Sequence, residues 1–593
     1  MRVTTSRSKN SESFYITHSY INHEGKSTSK TFKKLGTLAE LSKELETDRD
    51  GVMAWAKEQA RIETEKYNAE RETIRVPLSP IKQIEKDKDR TFNVGYLFLQ
   101  SILSELRIDN ITRNIKSRHK YEFNLEAILK DLIYARILSP SSKRSSYNFS
   151  QTLLEKPKYA LHDVYRALNI LSKESEYIQS EVYKNSHFIS KRNTEVLYYD
   201  CTNYYFEIEQ EDAFKKYGKS KENRPNPIVG MGLFMDANGM PLAFHMYPGN
   251  QNEQVTLRPL EEKIIRDFGV SKFVLSTDGG LGSKSNKKFN TMGDRGYVVT
   301  QSIKKLKKDD KEVALNPKQW RLLGHDKFIN LEDLDETDPA VFDAIYYKEI
   351  PLDSKDLSEN LIVTYSPKYK NYLRTIRDRQ VERAYNSIKE NGQLKKQRKN
   401  PNDPTRFIDE TATTEYGEVA DKKHYTVNQD VIDDEAQYDG FYAVVTNLDD
   451  KVEDVIKVNK YRWKIEECFR IMKTEFESRP VFLSREDRIN AHFLTCFLSL
   501  VVYRNLEYKL KEAAKKKKSD INLSIDQVIK TLKRMNVNLI DSHGYIPSYT
   551  RTELTDLLHE TFGFNTDYEI IKKSTMRNII KNTKKNKLLY FVT

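Results

Sequence analysis

The chain has 593 residues, too many for one hydrophobic core, so three or four folding units are expected. It is 38% hydrophobic and 31% charged, as in a globular, soluble protein, and its longest apolar run, residues 493–503, is too short for a membrane-spanning helix. The formal net charge of +12 favours a polyanionic partner.

Two further features concern the cellular compartment of the protein. The N-terminal sequence MRVTTSRSKN lacks the apolar core of a signal peptide, so we expect a cytoplasmic protein with no membrane partner. The three cysteines, Cys201, Cys468 and Cys496, stand in apolar surroundings without a CxxC pair. This spacing excludes a disulfide framework and a zinc knuckle.

The N-terminal part, residues 1–90, combines strand-like runs with a charged helix. Residues 12–35 alternate and turn at HEGKS, which predicts a small β hairpin, and a charged helix is predicted for residues 37–75. The following prolines and the run KQIEKDKDR indicate a linker. This part therefore reads as a small β/helical region joined to the rest by a linker.

Residues 91–190 show helical spacing in GYLFLQSILSEL, LEAILKDLIYARIL and LHDVYRALNIL. The basic side chains of this segment leave two interpretations open, a domain that binds DNA ends and simple helix packing. No helix-turn-helix is recognisable in the pattern. We therefore expect a helical unit whose role is not decided by its spacing.

A mixed α/β core is predicted from residue 191 to residue 305. EVLYYDCTNYYFE is a strand carrying Asp200, and IVGMGLFMD and PLAFHMYPGN form a hairpin. The helical run NEQVTLRPLEEKIIRDFG follows, and then the strand KFVLSTDGG, which ends on Asp278. Groups at strand ends of such a sheet cluster in a crevice. We therefore expect the two carboxylates, at the ends of the first and fourth strands, to lie close together.

The second part of the chain resumes this core after a β-rich insertion, residues 306–438. The insertion holds a strongly basic run, residues 368–399. Two interpretations of this run are open: a surface that follows the DNA phosphates (a phosphate-tracking surface) and a solvated helix face. YDGFYAVVTN returns the chain to the core, residues 439–503, whose last helix is long, apolar and expected to pack on the sheet. Residues 504–593 are predicted to be helical and rich in lysine.

Residues 459–473, NKYRWKIEECFRIMK, form a predicted amphipathic helix with two distinct faces. An apolar stripe recurs every three or four residues: Ile465, Cys468, Phe469 and Met472. A charged face runs beside it: Arg462, Glu466, Arg470 and Lys473. One interpretation is a helix with ion pairs beside a core stripe. The other is a metal-binding carboxylate whose basic neighbours grip phosphates, and it requires partner carboxylates elsewhere.

Asp200, Asp278 and Glu466 together would supply those carboxylates. Mg²⁺ prefers oxygen ligands, and two such ions about 3.5–4 Å apart activate the attacking oxygen and stabilise the leaving oxygen of a phosphodiester. Each acid alone also has a structural interpretation: a strand cap, a turn and an ion-pair partner, respectively. Their joint placement on this order of elements favours the catalytic one.

The same passages resemble the DDE transposases of bacterial insertion sequences, in the branch with a Tyr-Arg-Glu-Lys signature. The likeness is carried, in order, by YYDCTNYYFE, RPNPIVGMGLFMDANGMPLAFHMYPGNQNE, VLSTDGG, YDGFYAVVTN, KYRWKIEECFRIMK and RINAHFLTCFLSL, which span about half of the chain. The resemblance implies an α/β RNase H-like core of mixed sheet flanked by helices and interrupted by a β-rich insertion. It also implies Mg²⁺-dependent cutting and joining of DNA.

Carried over residue by residue, the resemblance assigns the metal-binding acids to Asp200, Asp278 and Glu466. These three acids would hold two Mg²⁺ ions, for which Mn²⁺ could substitute. It assigns the signature Arg to Arg462 and the signature Lys to Lys473.

The remaining DNA contacts fit the pattern less closely. The family spacing places the signature Tyr at Asn459, so Tyr461 is put forward from a shifted position. Arg470 stands where relatives carry a basic residue. For Trp463, stacking on a displaced base and core packing are both open.

The resemblance further implies cut-and-paste movement, with a hairpin at the element end as one route. The partners would be the terminal inverted repeats and target DNA, bound by a homodimer in a paired-end complex of the bacterial cytoplasm and nucleoid. Two alternatives are a related metal-dependent nuclease without strand transfer and an inactive DNA-binding remnant.

Overall fold

The computed structural model describes the chain in two compact units, Met1–Lys88 with Ile540–Gly544, and Asp89–Leu539 with Tyr545–Thr593. Residues outside the description are 9–10, 22–26, 72–73, 75, 77, 82, 355, 391–402, 414–418, 520, 522 and 586–593. The end of the predicted basic run, part of the predicted linker and the last lysines therefore lie outside the described residues. None of the described helices combines the length and apolar character needed to cross a bilayer.

The first unit contains a three-stranded antiparallel sheet and two helices. Its elements are β1 (Arg2–Ser8), β2 (Ser11–Ile21), β3 (Ser27–Thr37), α1 (Leu38–Glu44) and α2 (Arg49–Arg71). The predicted hairpin corresponds to β2 and β3, and β1 adds a strand. The predicted single helix is two helices, because Asp48 accepts a hydrogen bond from the Gly51 N–H at 3.0 Å and starts a new helix there.

The second unit opens with one short strand and six helices. They are β4 (Thr91–Asn93), α3 (Tyr96–Glu105), α4 (Ile108–Arg118), α5 (Leu125–Leu138), α6 (Lys143–Ser150), α7 (Leu161–Lys173) and α8 (Ser175–Ser186). In α7 the buried residues Val164, Ala167, Leu168 and Leu171 recur at the spacing that predicted the helix.

The core strands and helices follow in the predicted order of three strands, a helix and a fourth strand. They are β5 (Val196–Tyr205), β6 (Ile228–Asp236), β7 (Pro241–Pro248), α9 (Leu257–Lys263), β8 (Val274–Thr277), α10 (Lys284–Phe289) and β9 (Gly296–Gln301). Asp200 lies in the middle of β5, so its predicted position at a strand end is wrong, whereas Asp278 directly follows β8.

Residues 306–438 contain both helices and strands. They are α11 (Lys308–Leu315), β10 (Trp320–Leu322), β11 (Phe328–Ile329), α12 (Pro339–Asp343), β12 (Tyr346–Ser354), β13 (Leu357–Tyr365), α13 (Pro367–Glu390), β14 (Ile408–Thr413), β15 (Val419–Val427) and α14 (Gln429–Ala436). Strands β14 and β15 pair with each other, whereas β10 to β13 join the core sheet.

The core sheet has ten strands, and β16 (Phe441–Thr446) links its two parts. The strand order is β11-β10-β12-β13-β16-β9-β8-β5-β6-β7. The neighbours β5 and β8, and β8 and β9, are parallel, and the other pairs are antiparallel. This is a large mixed sheet flanked by helices, as the sequence predicts.

Three helices follow β16: α15 (Val452–Tyr461), α16 (Trp463–Arg470) and α17 (Glu486–Lys517). The single helix predicted for residues 459–473 is therefore interrupted at Arg462, and α16 continues as a π turn over Ile471–Glu475. The long helix α17 packs on the sheet as predicted, with Phe493 against Tyr204 and Phe497 against Phe244 at ring distances of 4.5 and 5.1 Å.

The C-terminal part contains α18 (Ile525–Arg534), β17 (Asn536–Ile540), β18 (Gly544–Pro547), α19 (Glu553–Phe562), β19 (Ile571–Lys572) and α20 (Lys573–Thr583). The helices were predicted and the three short strands were not. The strands form a sheet of order β19-β18-β17-β4. Strand β4 comes from near residue 90, and such a distant pairing leaves no local signal in the sequence.

Candidate active site

Asp200 and Asp278 stand side by side on neighbouring parallel strands. The pairing of β5 with β8 includes Tyr198 opposite Ser276, and each aspartate lies two residues further along its strand. Side chains two residues apart share a face of the sheet, and adjacent strands are about 4.8 Å apart. The register therefore directs both carboxylates to one face at the point where the two strands stop pairing.

The electrostatics of Asp200 reflect this proximity. The pKa of its carboxyl group is raised to about 6, mainly by burial and also by the charge of Asp278, although Lys221 and Arg462 act to lower it. Asp200 Oδ1 accepts a hydrogen bond from the Cys201 N–H at 2.7 Å. Asp278 Oδ1 accepts one from the Leu281 N–H at 3.1 Å. Each acid thus anchors one oxygen on the backbone, and its Oδ2 has no hydrogen bond or ion pair within the described ranges, so that it is available to another ligand.

Helix α16 lies over the same face of the sheet. The Tyr198 hydroxyl donates to the carbonyl of Val458 at the end of α15, at 3.0 Å, and the Cys468 thiol in α16 contacts the Met235 sulfur at 3.9 Å. The predicted apolar stripe of Ile465, Cys468, Phe469 and Met472 is buried, as expected. Tyr198 shares its face with Asp200, so the helix carrying the third acid packs on the side to which Asp200 points.

Glu466 and Glu467 have opposite environments although they are adjacent. Glu467 is half-buried and forms ion pairs with Lys464 at 2.9 Å and Arg504 at 2.7 Å. Glu466 is exposed, and its carboxylate has no ion pair or hydrogen bond within the part of the chain that the structure describes. The ion-pair interpretation of this helix therefore applies to Glu467 and not to Glu466.

The basic residues of this helix are placed differently from one another. Arg462, one turn before Glu466, is close enough to Asp200 to lower its pKa. The Lys473 ammonium lies 3.2 Å from Glu222, and Arg470 is exposed and only 3.9 Å from Glu467. These side chains border the face that carries the two aspartates.

The two aromatic candidates have different surroundings. The Trp463 side chain is 52% exposed, so it is not packed in the core, and the Lys464 ammonium lies 4.2 Å from its ring centroid. Tyr461 packs on Tyr198 with ring centroids 5.8 Å apart, and its hydroxyl lies near Gly239 in the turn after β6. Gly239 is beside the start of β5, so the structure does not bring the Tyr461 hydroxyl to Asp200.

The segment between β5 and β6 contributes residues that the sequence analysis did not single out. Lys221 donates to the carbonyl of Cys201 and lies 3.4 Å from Glu253. Glu222 bridges Lys473 at 3.2 Å and Arg479 at 2.8 Å. The only signal in the sequence is a polar run, KYGKSKENRPNP, between two apolar strands, and that run does not reveal which residues face the acids.

The donor set of the three acids suits a hard cation. Carboxylate oxygens are the ligands that Mg²⁺ prefers, and Asp200 and Asp278 each have an oxygen free for this purpose. Among the described residues, oxygens of all three acids do not converge within 4.8 Å of one another.

Comparisons with known proteins identify a family for this part of the chain. The family model described as "Transposase DDE domain" matches residues 194–502, which include all three acids. No curated protein matches the chain at a significant level.

Among solved structures, the chain is similar to one described as the cryo-EM structure of a piggyBac transposase synaptic complex with hairpin DNA. The two chains are 8% identical over 87% of this chain and 88% of that chain, with a TM-score of 0.34. At that TM-score the likeness carries no structural argument.

Proposed function

The chain belongs to the DDE transposase family, and we propose that it cleaves DNA at the ends of an insertion sequence and joins those ends to target DNA. The observation that carries this proposal is the pairing of Asp200 with Asp278 on one sheet face, under the helix that presents an unpaired Glu466. A core of this strand order around such acids supports an RNase H-like arrangement. The signature residues Arg462, Glu466 and Lys473 favour the Tyr-Arg-Glu-Lys branch.

Two Mg²⁺ ions are the proposed cofactors, with Mn²⁺ able to replace them. Asp200, Asp278 and Glu466 are the side chains that would hold them. When bound, such ions act as Lewis acids that activate the attacking oxygen and stabilise the leaving oxygen of a phosphodiester. The two aspartates are already held by backbone N–H groups and do not need to reorganise.

The basic side chains at this face would position the scissile strand. Arg462 lies beside Asp200, where it can neutralise a non-bridging phosphate oxygen, and Lys473 and Arg470 extend the positive surface along the helix. The exposed Trp463 ring offers a stacking surface for an unpaired base, worth about 1–3 kcal/mol. Tyr461 is the weakest of the proposed contacts, because its hydroxyl faces Gly239.

The proposed route of transposition, the oligomer and the cellular setting follow from the resemblance to the Tyr-Arg-Glu-Lys branch. We propose cut-and-paste movement, with a hairpin at the element end as one route, carried out by a homodimer on paired inverted repeats. The proposed setting is the bacterial cytoplasm and nucleoid. The helical unit of residues 91–190 is the proposed end-binding domain, and the basic helix α13 is a proposed phosphate-tracking surface.

The test compares wild type with Glu466→Gln and with the matched control Glu467→Gln. A supercoiled plasmid carrying the element ends is incubated with each protein in Mg²⁺ or EDTA. We expect Mg²⁺-dependent excision and joined products from wild type and from Glu467→Gln, within about threefold per folded molecule, since Gln still accepts from Arg504. Glu466→Gln should lose at least about 100-fold in rate while it still binds the DNA.

Each other outcome would change the proposal in a defined way. Cleavage without joined products would indicate a nuclease, and DNA binding without cleavage would indicate an inactive remnant. Equal rates for wild type and Glu466→Gln would show that the third acid is assigned to the wrong residue.

A further inference from the structure

A second group of metal-ligating side chains lies far along the chain, around α19. Asp556 and His559 are one turn apart on this helix, and Asp567 follows the loop after its end. One ligand atom from each of the three residues lies within 4.8 Å of the others. In the described part of the chain, this is the only group of three or more His, Cys, Asp or Glu residues that meets this limit.

The histidine of this group is buried and incompletely satisfied. The His559 side chain is 1% exposed, and its Nδ1 atom makes no hydrogen bond with any of the residues that the structure describes. The nearest charged atom is Asp567 Oδ2, at 3.4 Å. A buried nitrogen without a hydrogen bond costs free energy, and a cation bound by both Nδ1 and the nearby carboxylate oxygen would remove this cost.

The other ring nitrogen of His559 is held by Thr566. Its Nε2 lies 3.0 Å from Thr566 Oγ1 and 3.3 Å from the Thr566 N–H. Thr566 therefore serves both tautomers, because its N–H can donate to Nε2 and its Oγ1 can accept from Nε2–H. In the tautomer that carries its proton on Nε2, the Nδ1 lone pair faces the carboxylates. Metal-bound histidines have this arrangement, with the far N–H donated to a fixed acceptor.

Arg551 is the cation that now compensates the two acids. Its Nε lies 2.6 Å from Asp556 Oδ1 and 3.5 Å from Asp567 Oδ2. The Arg551 side chain is 68% exposed, and exposed ion pairs contribute little to stability. The guanidinium can therefore leave the two carboxylates at small cost when another cation arrives.

We propose that Asp556, His559 and Asp567 form a Zn²⁺ site, with water as the fourth ligand. One imidazole and two carboxylates suit Zn²⁺ better than Mg²⁺ or Ca²⁺, which take oxygen ligands. Two ligands of one tetrahedral Zn²⁺ are about 3.3 Å apart, close to the separation of His559 Nδ1 and Asp567 Oδ2. The ion would tie α19 to the loop that follows it and would take no part in DNA chemistry.

The test measures zinc on full-length protein without an affinity tag, in a background that lacks the three active-site acids (Asp200→Asn, Asp278→Asn, Glu466→Gln). After dialysis against micromolar Zn²⁺, elemental analysis should find about one zinc per chain, and Zn²⁺ should raise the Tm by about 2 °C relative to EDTA. Adding His559→Gln or the milder Asp556→Asn should reduce the zinc content at least about tenfold, since one of three ligands is lost.

Arg551→Gln distinguishes a metal site from a plain ion-pair cluster. Removing the competing cation should tighten zinc binding at least about threefold, measured with a chromophoric chelator. If His559→Gln does not fold, the Asp556→Asn and Arg551→Gln variants decide the matter. Less than about 0.1 zinc per chain in the background protein, or the same zinc content after Asp556→Asn, would overturn the proposal.

Discussion

Carboxylates beside the start of strand β5 and at its middle are held in opposite ways. Near its start, Asp236 forms a fully buried ion pair with Arg192 at 2.5 Å, with side chains 0% and 1% exposed. Further along, Asp200, Asp278 and Glu466 have no cation within 4.0 Å in the described part of the chain. The paired acid is part of the fold. Of the unpaired acids, Asp200 and Asp278 each accept a backbone hydrogen bond, and Glu466 is exposed to solvent.

This difference shows which acids cost stability and which support it. A buried charge without a partner is unfavourable, and a fold keeps such groups where a ligand needs them. The raised pKa of Asp200, caused first by burial, expresses that cost. Glu467 and Glu466 also differ in pairing, but Glu466 is exposed, so its unpaired charge does not carry this cost. Three variants test how far the contrast extends.

The largest expected effect is on the paired side. Asp236→Asn leaves Arg192 buried without its partner, so the free energy of unfolding should fall by about 3–5 kcal/mol. The shift of the urea unfolding midpoint, monitored by circular dichroism, measures this loss. The matched variant Asp200→Asn should leave the midpoint unchanged or raise it, because folding already disfavours its charge. An equal loss in both variants would break the comparison.

The next variant concerns Lys143, a buried lysine whose contacts include no carboxylate partner among the described residues. Lys143 in α6 contacts His492 Nδ1 at 3.1 Å, with Arg136 and Cys496 also facing it, and burial lowers its pKa to about 7. The unfolded chain then binds more protons between that pKa and the usual lysine value. Stability should therefore rise with pH from 7 to 9, by up to about 1.4 kcal/mol per pH unit.

Lys143→Met removes this titrating group and should flatten the rise. Urea midpoints at pH 7 and pH 9 for wild type and variant give the measurement, and the difference between the two slopes isolates Lys143 from other groups. Parallel slopes would mean that Lys143 keeps its charge in the folded protein.

The smallest expected effect concerns Glu222, a paired acid in the segment between β5 and β6. It occupies Lys473 and Arg479, which a DNA phosphate would need. Glu222→Gln should therefore tighten binding of element-end DNA by about 3- to 10-fold at low salt. Fluorescence anisotropy in EDTA measures the affinity. Glu211→Gln, which frees Lys216 on the same segment, controls for net charge and should change affinity less.

Local patterns in the sequence predicted a substantial part of the fold. The order of strands and helices from β5 to β8, the buried stripe of α16 and the packing of α17 all follow from periodicity, because each pattern is written in neighbouring residues. The composition also restricted the protein to a basic, globular class. The proposed acids were found from their place in this order together with the family likeness, and the roles assigned to them remain predictions.

Only the tertiary structure decided which residues meet. The parallel register of β5 and β8, which pairs Tyr198 with Ser276, brings Asp200 and Asp278 near each other, although Asp200 is inside its strand and not at its end. Three further features also depend on the tertiary structure. Strands β10, β11, β12 and β13 join the core sheet, the helix breaks at Arg462, and Glu222 pairs with Lys473. Periodicity specifies which face of a strand or helix is buried, but not its partner. Partners are selected by contacts between distant segments, whose free energy depends on the whole packed chain.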